Sequence, residues 1–196
     1  MPYPTSPRLR FDELGPDDAD FILRLTNSEG WLRYIGDRGV RSREDAIRYI
    51  EDGPRRLYRD HGYGLWRISL IDDPTPMGLC GLVRRDSLPG PDLGFALLPE
   101  FWGQGYAREA AEATLGFVRD TLLLPGLLAI CQQDNAASLG LLEGLGFARI
   151  GTFANADGKP LCKLEIDLRS NPSESPGRGE AQPQRPSHTD LVGEGV

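Results

Sequence analysis

Two glycines in the segment FWGQGYA, residues 101–107, have the spacing of a phosphate-binding turn. Gly103 and Gly105 lack a Cβ, so the backbone can bend sharply and bring successive N–H groups close to one anion. The alanine-rich run after Gly105 predicts a helix, whose first N–H groups and positive dipole end suit a pyrophosphate. On these residues alone, a turn that only joins a strand to a helix is the alternative.

The spacing differs from that of the two best-known phosphate loops. A Gly-Lys-Ser/Thr ending is missing, which excludes a P-loop nucleotidase. Arg108 occupies the position of the third glycine of a dinucleotide-binding turn, and no early βαβ unit precedes the turn, which disfavours a Rossmann site. The ligand predicted for this turn is therefore another phosphorylated molecule.

A second informative segment covers residues 127–147. LLAICQQD predicts an apolar strand, and NAASLGLLEGLGF predicts a short helix that ends at Gly146. Three motifs now stand in order: the turn at residues 101–107, which we call the glycine turn, DNxxS at 134–138 and LGF at 145–147. Together they resemble the GNAT family of acetyl-CoA-dependent N-acyltransferases. The similarity spans about residues 8–168 and is closest to the branch of the ribosomal-protein N-terminal acetyltransferases. It implies an enzyme that transfers an acetyl group from acetyl-CoA to a primary amine in a ternary complex.

The segments around these motifs predict a mixed α/β fold. Alternating apolar residues and apolar runs predict strands near residues 8–14, 66–70, 77–84, 93–99, 147–153 and 160–168. Helices are predicted to begin at Pro16 and after the N-cap Ser42, with Asp45 three residues on, and Gly53-Pro54 is predicted to end the second. The order βααβββαβαββ is similar to the GNAT arrangement. It implies a twisted sheet of about seven strands, flanked by helices, with strands four and five splayed apart.

The resemblance also implies a cofactor site. It places the pantetheine arm of acetyl-CoA in the gap between strands four and five, bound through main-chain groups, with the pyrophosphate on the amides of the glycine turn. Asn135 matches an asparagine that binds the arm, and Ser138 matches a hydroxyl near the phosphates or thiol, although both also suit a helix N-terminus. Arg108 can reach a phosphate or lie exposed on its helix. The implied cofactor residues are Phe95, Ala96, Leu97, Leu98, Trp102, Gly103, Gln104, Gly105, Tyr106, Ala107, Arg108, Asn135 and Ser138.

Acetyl transfer to an amine is helped by a base, because an ammonium has no lone pair with which to attack the thioester. By its match to the family, Asp92 at the start of strand four is the candidate base. Since it follows Pro89-Gly90-Pro91, a turn aspartate is the alternative. Many family members have a tyrosine that protonates the leaving thiolate, and Leu142 occupies that position here. The general acid is therefore unassigned, with Ser138, solvent or no acid as the options.

Acceptor selection in the resembled family depends on the segment between the first two helices and on the loops above the splayed strands. Here these segments are WLRYIGDRGV at residues 31–40 and HGYG at 61–64. Their aromatic and charged side chains predict an amine-binding pocket, although the same aromatic residues also suit a cap on the core. His61 fits either a base or an exposed turn residue. The predicted acceptor-binding residues are Trp31, Tyr34, Asp37 and Tyr63.

Composition agrees with one enzyme domain. The 196 residues are 39% hydrophobic, enough for a core, and the net charge of −7 argues against a nucleic-acid partner. Cys80, Cys131 and Cys162 lack metal-ligand spacing, so we expect buried reduced thiols and no metal cofactor. No apolar leader follows Met1 and no run has membrane-spanning length, so the expectation is a cytoplasmic protein without a membrane partner.

We expect the GNAT-like domain to span residues 1–169 and a disordered tail to span 170–196, where Pro, Gly and Ser dominate. A docking or regulatory segment is the alternative for the tail. Two other functions fit the same cofactor site: a non-catalytic acyl-CoA sensor or scaffold, and an acyltransferase that uses a hydroxyl acceptor or a longer acyl chain. The sequence identifies neither the acceptor, a small-molecule or peptide amine, nor the oligomeric state.

Overall fold

The computed structural model describes residues 3–154 and 158–169 and has a seven-stranded sheet at its centre. The strand order is β1-β2-β3-β4-β5-β7-β6, and all neighbours are antiparallel except the parallel pair β4 and β5. This confirms the predicted mixed α/β fold. The strands are β1 (Leu9–Asp12), β2 (Leu65–Leu70), β3 (Gly78–Arg84), β4 (Pro91–Leu97), β5 (Gly126–Gln132), β6 (Ala148–Ala154) and β7 (Pro160–Asp167).

Helices cover both faces of this sheet. Four of them lie between β1 and β2, one joins β4 to β5, and one joins β5 to β6. Short 3₁₀ turns precede the first helix and the glycine turn, at Pro16–Asp18 and Pro99–Phe101. The helices are α1 (Ala19–Thr26), α2 (Glu29–Tyr34), α3 (Arg43–Ile50), α4 (Arg56–His61), α5 (Tyr106–Asp120) and α6 (Ala136–Gly144).

Two apolar clusters hold these helices against opposite faces of the sheet. The larger cluster packs α5 and α6 on the sheet and includes the edge-to-face pair of Trp66 and Phe117. The smaller cluster packs α1, α2 and α3 on the other face. Because successive side chains of a strand point to opposite faces, Leu97 joins the larger cluster and Leu98 the smaller one. The region around the end of β4 is thus fixed from both sides.

The helices before β2 differ from the prediction at two points. Gly53-Pro54 does not end the second helix, because α3 continues through a π-helical turn (Glu51–Arg55) into α4. Pro54 has no N–H for an α-helical hydrogen bond, and the wider i→i+5 turn accommodates that missing donor. The helix ends at Gly62, where φ is 73°. The second difference is α2, whose six residues are too few to show a helical period in the sequence.

Two other local predictions, the capping box of α3 and the buried thiols, are confirmed. Ser42 and Asp45 form the expected capping box of α3, with side chain to backbone bonds of 3.1 and 2.9 Å. The three cysteines are buried and unpaired. None of the helices in the described segments is long and apolar enough to span a membrane. The predicted tail, residues 170–196, lies outside the described residues, so the domain boundary stays a prediction.

Candidate functional site

Strands β4 and β5 meet only near their first residues. Within the described sheet a single residue pair, Asp92 with Leu128, joins them. The two strands are parallel, so they separate toward their carboxyl ends, Leu97 and Gln132. The chain leaves Leu97 through a 3₁₀ turn and the two glycines into α5. The sheet therefore has a central wedge that opens toward the glycine turn.

A cavity of about 1160 Å³ occupies the wedge and continues toward α2 and α3. This exceeds the roughly 300–1,000 Å³ of a typical small-molecule pocket, so it can hold a cofactor and a second substrate together. The structure brings most of the predicted site residues into the cavity wall. These are Trp31, Tyr34, Asp92, Phe95, Ala96, Leu97, Trp102, Gly103, Gly105, Tyr106, Ala107, Arg108, Asn135 and Ser138.

Four predicted site residues lie outside the cavity wall. Leu98 is buried in the cluster under α1 and α3. The Gln104 side chain donates to the Glu100 carbonyl at 3.0 Å. Asp37 is on the surface, where it pairs with Arg41. The Tyr63 ring stacks on His61, with ring centres 5.4 Å apart.

The glycine turn presents a row of unpaired N–H groups. Gly103 and Gly105 have φ values of 71° and 82°, in the left-handed region that glycine adopts without a Cβ penalty. The first helical bond of α5 runs from Glu109 N–H to the Gly105 carbonyl, at 3.1 Å. Residues 103–108 donate no backbone hydrogen bond to any described residue. This row of donors, at the positive end of a 15-residue helix, is suited to a phosphate group.

Two arginines lie beside this turn. The guanidinium of Arg8 is 4.7 Å from the centre of the Tyr106 ring. Sequence reasoning missed Arg8 because about a hundred residues separate it from α5. It also pairs with Glu109 at 2.6 Å. Arg108 is exposed and donates to Glu112 and to the Gly144 carbonyl, both at 2.9 Å. Arg108 therefore ties α5 to the end of α6.

The backbone of β4 divides its hydrogen-bonding groups between β3 and the wedge. The N–H of Leu98 donates to the Met77 carbonyl at 2.9 Å, so alternation along the strand directs Ala96 to β3 as well. Phe95 and Leu97 then face the wedge. The Leu97 carbonyl already accepts the indole N–H of Trp102 at 2.9 Å. Phe95 is left with both main-chain groups directed into the wedge.

Asp92 is the second residue of β4, and only 1% of its surface is exposed. Both carboxylate oxygens accept from Arg85 Nε, at 3.0 and 3.2 Å. Burial raises the pKa of Asp92 to about 6, although the Arg85 guanidinium acts in the opposite direction. A carboxylate with this pKa is ionised at neutral pH and can accept a proton. Its position inside the strand differs from that of an exposed turn aspartate.

The start of α6 forms the opposite side of the wedge. Asn135 Oδ1 accepts from the Ser138 N–H at 3.1 Å, so it caps the helix, while its Nδ2 donates to no described residue. The Cys131 thiol donates to the Asn135 carbonyl, and burial raises its pKa to about 11. Leu142 lines the cavity and is 2% exposed. An apolar side chain thus occupies the position at which the resembled family has its tyrosine acid.

Sequence reasoning missed the wall built by α3 and the end of β3. Tyr49 lines the cavity and packs edge to face on Trp31, with ring centres 6.3 Å apart. Burial raises the pKa of Tyr49, and the positive charges of Arg38 and Arg85 act in the opposite direction. All three residues line the same cavity. The available signal was the position of Tyr49 between Ile47 and Ile50, but a tyrosine there equally fits the core.

Comparisons with known proteins agree with this geometry. Residues 8–148 match the family model described as an acetyltransferase (GNAT) domain. The chain is 26% identical over 154 residues to the uncharacterized N-acetyltransferase YoaA of Bacillus subtilis, across 78% of this chain and 86% of YoaA. The crystal structure of an acetyltransferase from Agrobacterium tumefaciens superposes with a TM-score of 0.73 at 22% identity, across 85% of this chain and 94% of that one.

A solved ribosomal L7/L12 alpha-N-protein acetyltransferase, in complex with coenzyme A, superposes with a TM-score of 0.71. The two chains are 17% identical, and the superposition covers 84% of this chain and 96% of the other. At this identity the likeness is one of fold.

Proposed function

Because this chain belongs to the GNAT acetyltransferase family, we propose that it transfers an acetyl group from acetyl-CoA to a primary amine. The observation that carries the proposal is the wedge between β4 and β5, which is joined at one residue pair and opens onto the unpaired N–H groups of the glycine turn. YoaA is named an N-acetyltransferase, which favours an amine over a hydroxyl acceptor. The likeness to the ribosomal-protein enzyme is one of fold, so we define the acceptor by its chemistry.

The residues of the wedge fit acetyl-CoA. The N–H groups of residues 103–107 bind the pyrophosphate, which needs several donors and no Cβ at Gly103 or Gly105. The main-chain groups of Phe95 pair with the pantetheine arm as a neighbouring strand would, and the free Nδ2 of Asn135 donates to it from the opposite side. When bound, acetyl-CoA supplies the thioester, the activated acyl group of the reaction.

Asp92 acts as the general base in this proposal. It accepts a proton from the acceptor's ammonium group, directly or through one water, and the neutral amine then attacks the thioester carbonyl. The attacking nitrogen then loses its second proton to solvent, the C–S bond breaks as the amide forms, and CoA leaves as a thiolate. An α-amine, with an ordinary pKa of about 8, gives its proton to Asp92 more readily than a lysine-type amine with a pKa of about 10.4.

The protein contributes mainly by holding the two substrates in position. Donors from the glycine turn and β4 orient the thioester. Residues of α2 and α3 form the part of the cavity wall against which the acceptor binds. The apolar Leu142 cannot protonate the leaving thiolate, so Ser138 or solvent serves as the proton donor.

The proposal is tested by thiol release from acetyl-CoA with the full-length protein. Each amine of a panel is paired with the alcohol of the same carbon skeleton, and mass spectrometry identifies the product as an amide or an ester. We expect CoA release with at least one amine and formation of an amide. Release with alcohols only would make the protein an O-acyltransferase. Acetyl-CoA binding without release from any acceptor would favour a sensor.

A further inference from the structure

The cavity has a second charged region, remote from the glycine turn. Asp92 and Arg85 lie where β3 turns into β4, whereas the glycine turn follows the other end of β4. The five steps from Asp92 to Leu97 span about 17 Å at roughly 3.4 Å per residue. A phosphate bound at the glycine turn therefore cannot also contact Arg85. This second region, which we call the arginine wall, is free to bind another ligand group.

The arginine wall has an excess of positive charge. We assign to it every charged residue of the cavity wall except Arg108, which lies at the glycine turn: Arg38, Arg48, Arg84, Arg85, Asp45, Asp52 and Asp92. Arg48 pairs with Asp45, which also caps α3, and Arg85 pairs with Asp92. Apart from these two pairs, the arginine wall has two arginines, Arg38 and Arg84, and one carboxylate, Asp52. The whole chain, by contrast, has a net charge of −7. Such a local reversal of sign favours an anionic ligand.

Two arginines of this wall have donors to spare. Arg38 forms no hydrogen bond or ion pair with any residue in the described segments. Arg85 uses Nε for Asp92, and neither of its terminal NH₂ groups has a hydrogen-bond acceptor among the described residues. The planar pair of NH₂ donors on a guanidinium matches the two oxygens of a carboxylate. Tyr49 lines the same cavity, and its hydroxyl can add a third donor.

We infer that the arginine wall is a carboxylate subsite and that the acceptor is an α-amino acid or a close homologue, with its carboxylate on Arg38 and Arg85. This inference rests on the proposed amine acetylation. The spacing supports it, because Arg85 contacts Asp92 and the base must lie beside the reacting amine. The amine and the carboxylate must then be close neighbours in one molecule, as they are in an α-amino acid.

Binding of the reaction products tests the subsite without any transfer step. N-acetylated amino acids and their carboxamides, from glycine, alanine, leucine, phenylalanine and glutamate, are titrated calorimetrically into full-length protein saturated with CoA. Members of a pair differ only in the α-carboxylate, and neither has a free amine. We expect at least one carboxylate to bind about tenfold or more tightly than its carboxamide, as a charge-assisted pair requires. Equal binding within every pair would overturn the inference.

Variants assign the effect to the arginine wall. Arg38→Gln should remove most of the preference for the carboxylate. Arg56→Gln is the matched control, because Arg56 is an exposed arginine outside the cavity wall and makes no ion pair with the described residues. A preference that survives Arg38→Gln unchanged would overturn the assignment.

Thiol release with the free amino acids and with spermidine, which has no carboxylate, separates this inference from the proposed function. Release with spermidine alone would support amine acetylation and contradict the carboxylate subsite. A carboxylate preference in calorimetry without release from any amine would support the subsite and contradict the proposed function.

Discussion

The two ends of the cavity offer hydrogen-bond donors from different parts of the chain. At the glycine turn the donors are main-chain N–H groups of consecutive residues, held by the left-handed φ values of Gly103 and Gly105. At the arginine wall the donors are side chains from α3, from the segment before it and from the β3–β4 turn. A main-chain site is disturbed by a change of backbone conformation, and a side-chain site by a change of charge. Substitutions at the two ends should therefore affect different measured quantities.

The largest expected effect separates chemistry from cofactor binding. Asp92→Asn keeps the shape of the side chain but removes the proposed base, so kcat should fall about a hundredfold or more. The Kd of acetyl-CoA should stay within about twofold, because its pyrophosphate is proposed to bind at the glycine turn, at the other end of β4. Steady-state kinetics and calorimetry on the same preparation measure both quantities. A kcat close to the wild-type value would leave Asp92 only as the ion-pair partner of Arg85.

A substitution at the glycine turn should have the opposite pattern. Gly105→Val places a β-branched residue at a φ of 82°, which shifts the backbone and its N–H groups, so acetyl-CoA should bind about ten- to hundredfold more weakly. Gly116→Val is the control, because Gly116 lies inside α5 with open space around its would-be Cβ. Calorimetry on both variants, with thermal unfolding to show that they are folded, makes the comparison. Equal affinities would mean that the turn has no role in binding.

Under the proposed mechanism, the pH dependence of kcat/KM reports the ionisation of Asp92. Burial raises the pKa of this carboxyl to about 6, so it becomes protonated, and loses its function as a base, at a higher pH than an ordinary aspartate with a pKa of about 4. We expect kcat/KM to fall about tenfold per pH unit below pH 6 and to lose this limb in Asp92→Asn. A plateau down to pH 4.5 in the wild type would assign the base to another group.

The smallest expected effect lies where α2 contacts Trp102, beside the glycine turn. A Cβ added to Gly30, in α2, would be 2.6 Å from the Trp102 ring, so the indole must shift from its bond to Leu97. Gly30→Ala should therefore weaken acetyl-CoA binding by about two- to fivefold, because the displaced Trp102 side chain must adopt a less favourable rotamer. Gly140→Ala, with open space around its Cβ in α6, should bind like the wild type. Identical Kd values would show that the position of the Trp102 side chain has no role in acetyl-CoA binding.

The same contrast explains how much of the protein could be predicted from its sequence. The glycine turn, the capping box of Ser42 and Asp45 and the strand periods involve residues close together in the chain, so their types and spacing suffice. The pairing of Arg8 with Glu109, and the placement of Arg38 and Tyr49 on one cavity wall, depend on how distant elements pack, which no local pattern records. The π-helical turn at Pro54 was missed because tertiary burial outweighed a local helix-breaking signal.

Calorimetric titration of acetyl-CoA into the full-length protein, with NAD as the comparison ligand, tests the central claim most directly. The wedge and the glycine turn predict one site per chain, a Kd in the micromolar range and a clear preference for acetyl-CoA. The absence of acetyl-CoA binding in a cooperatively folded sample, or equal binding of NAD, would contradict the account.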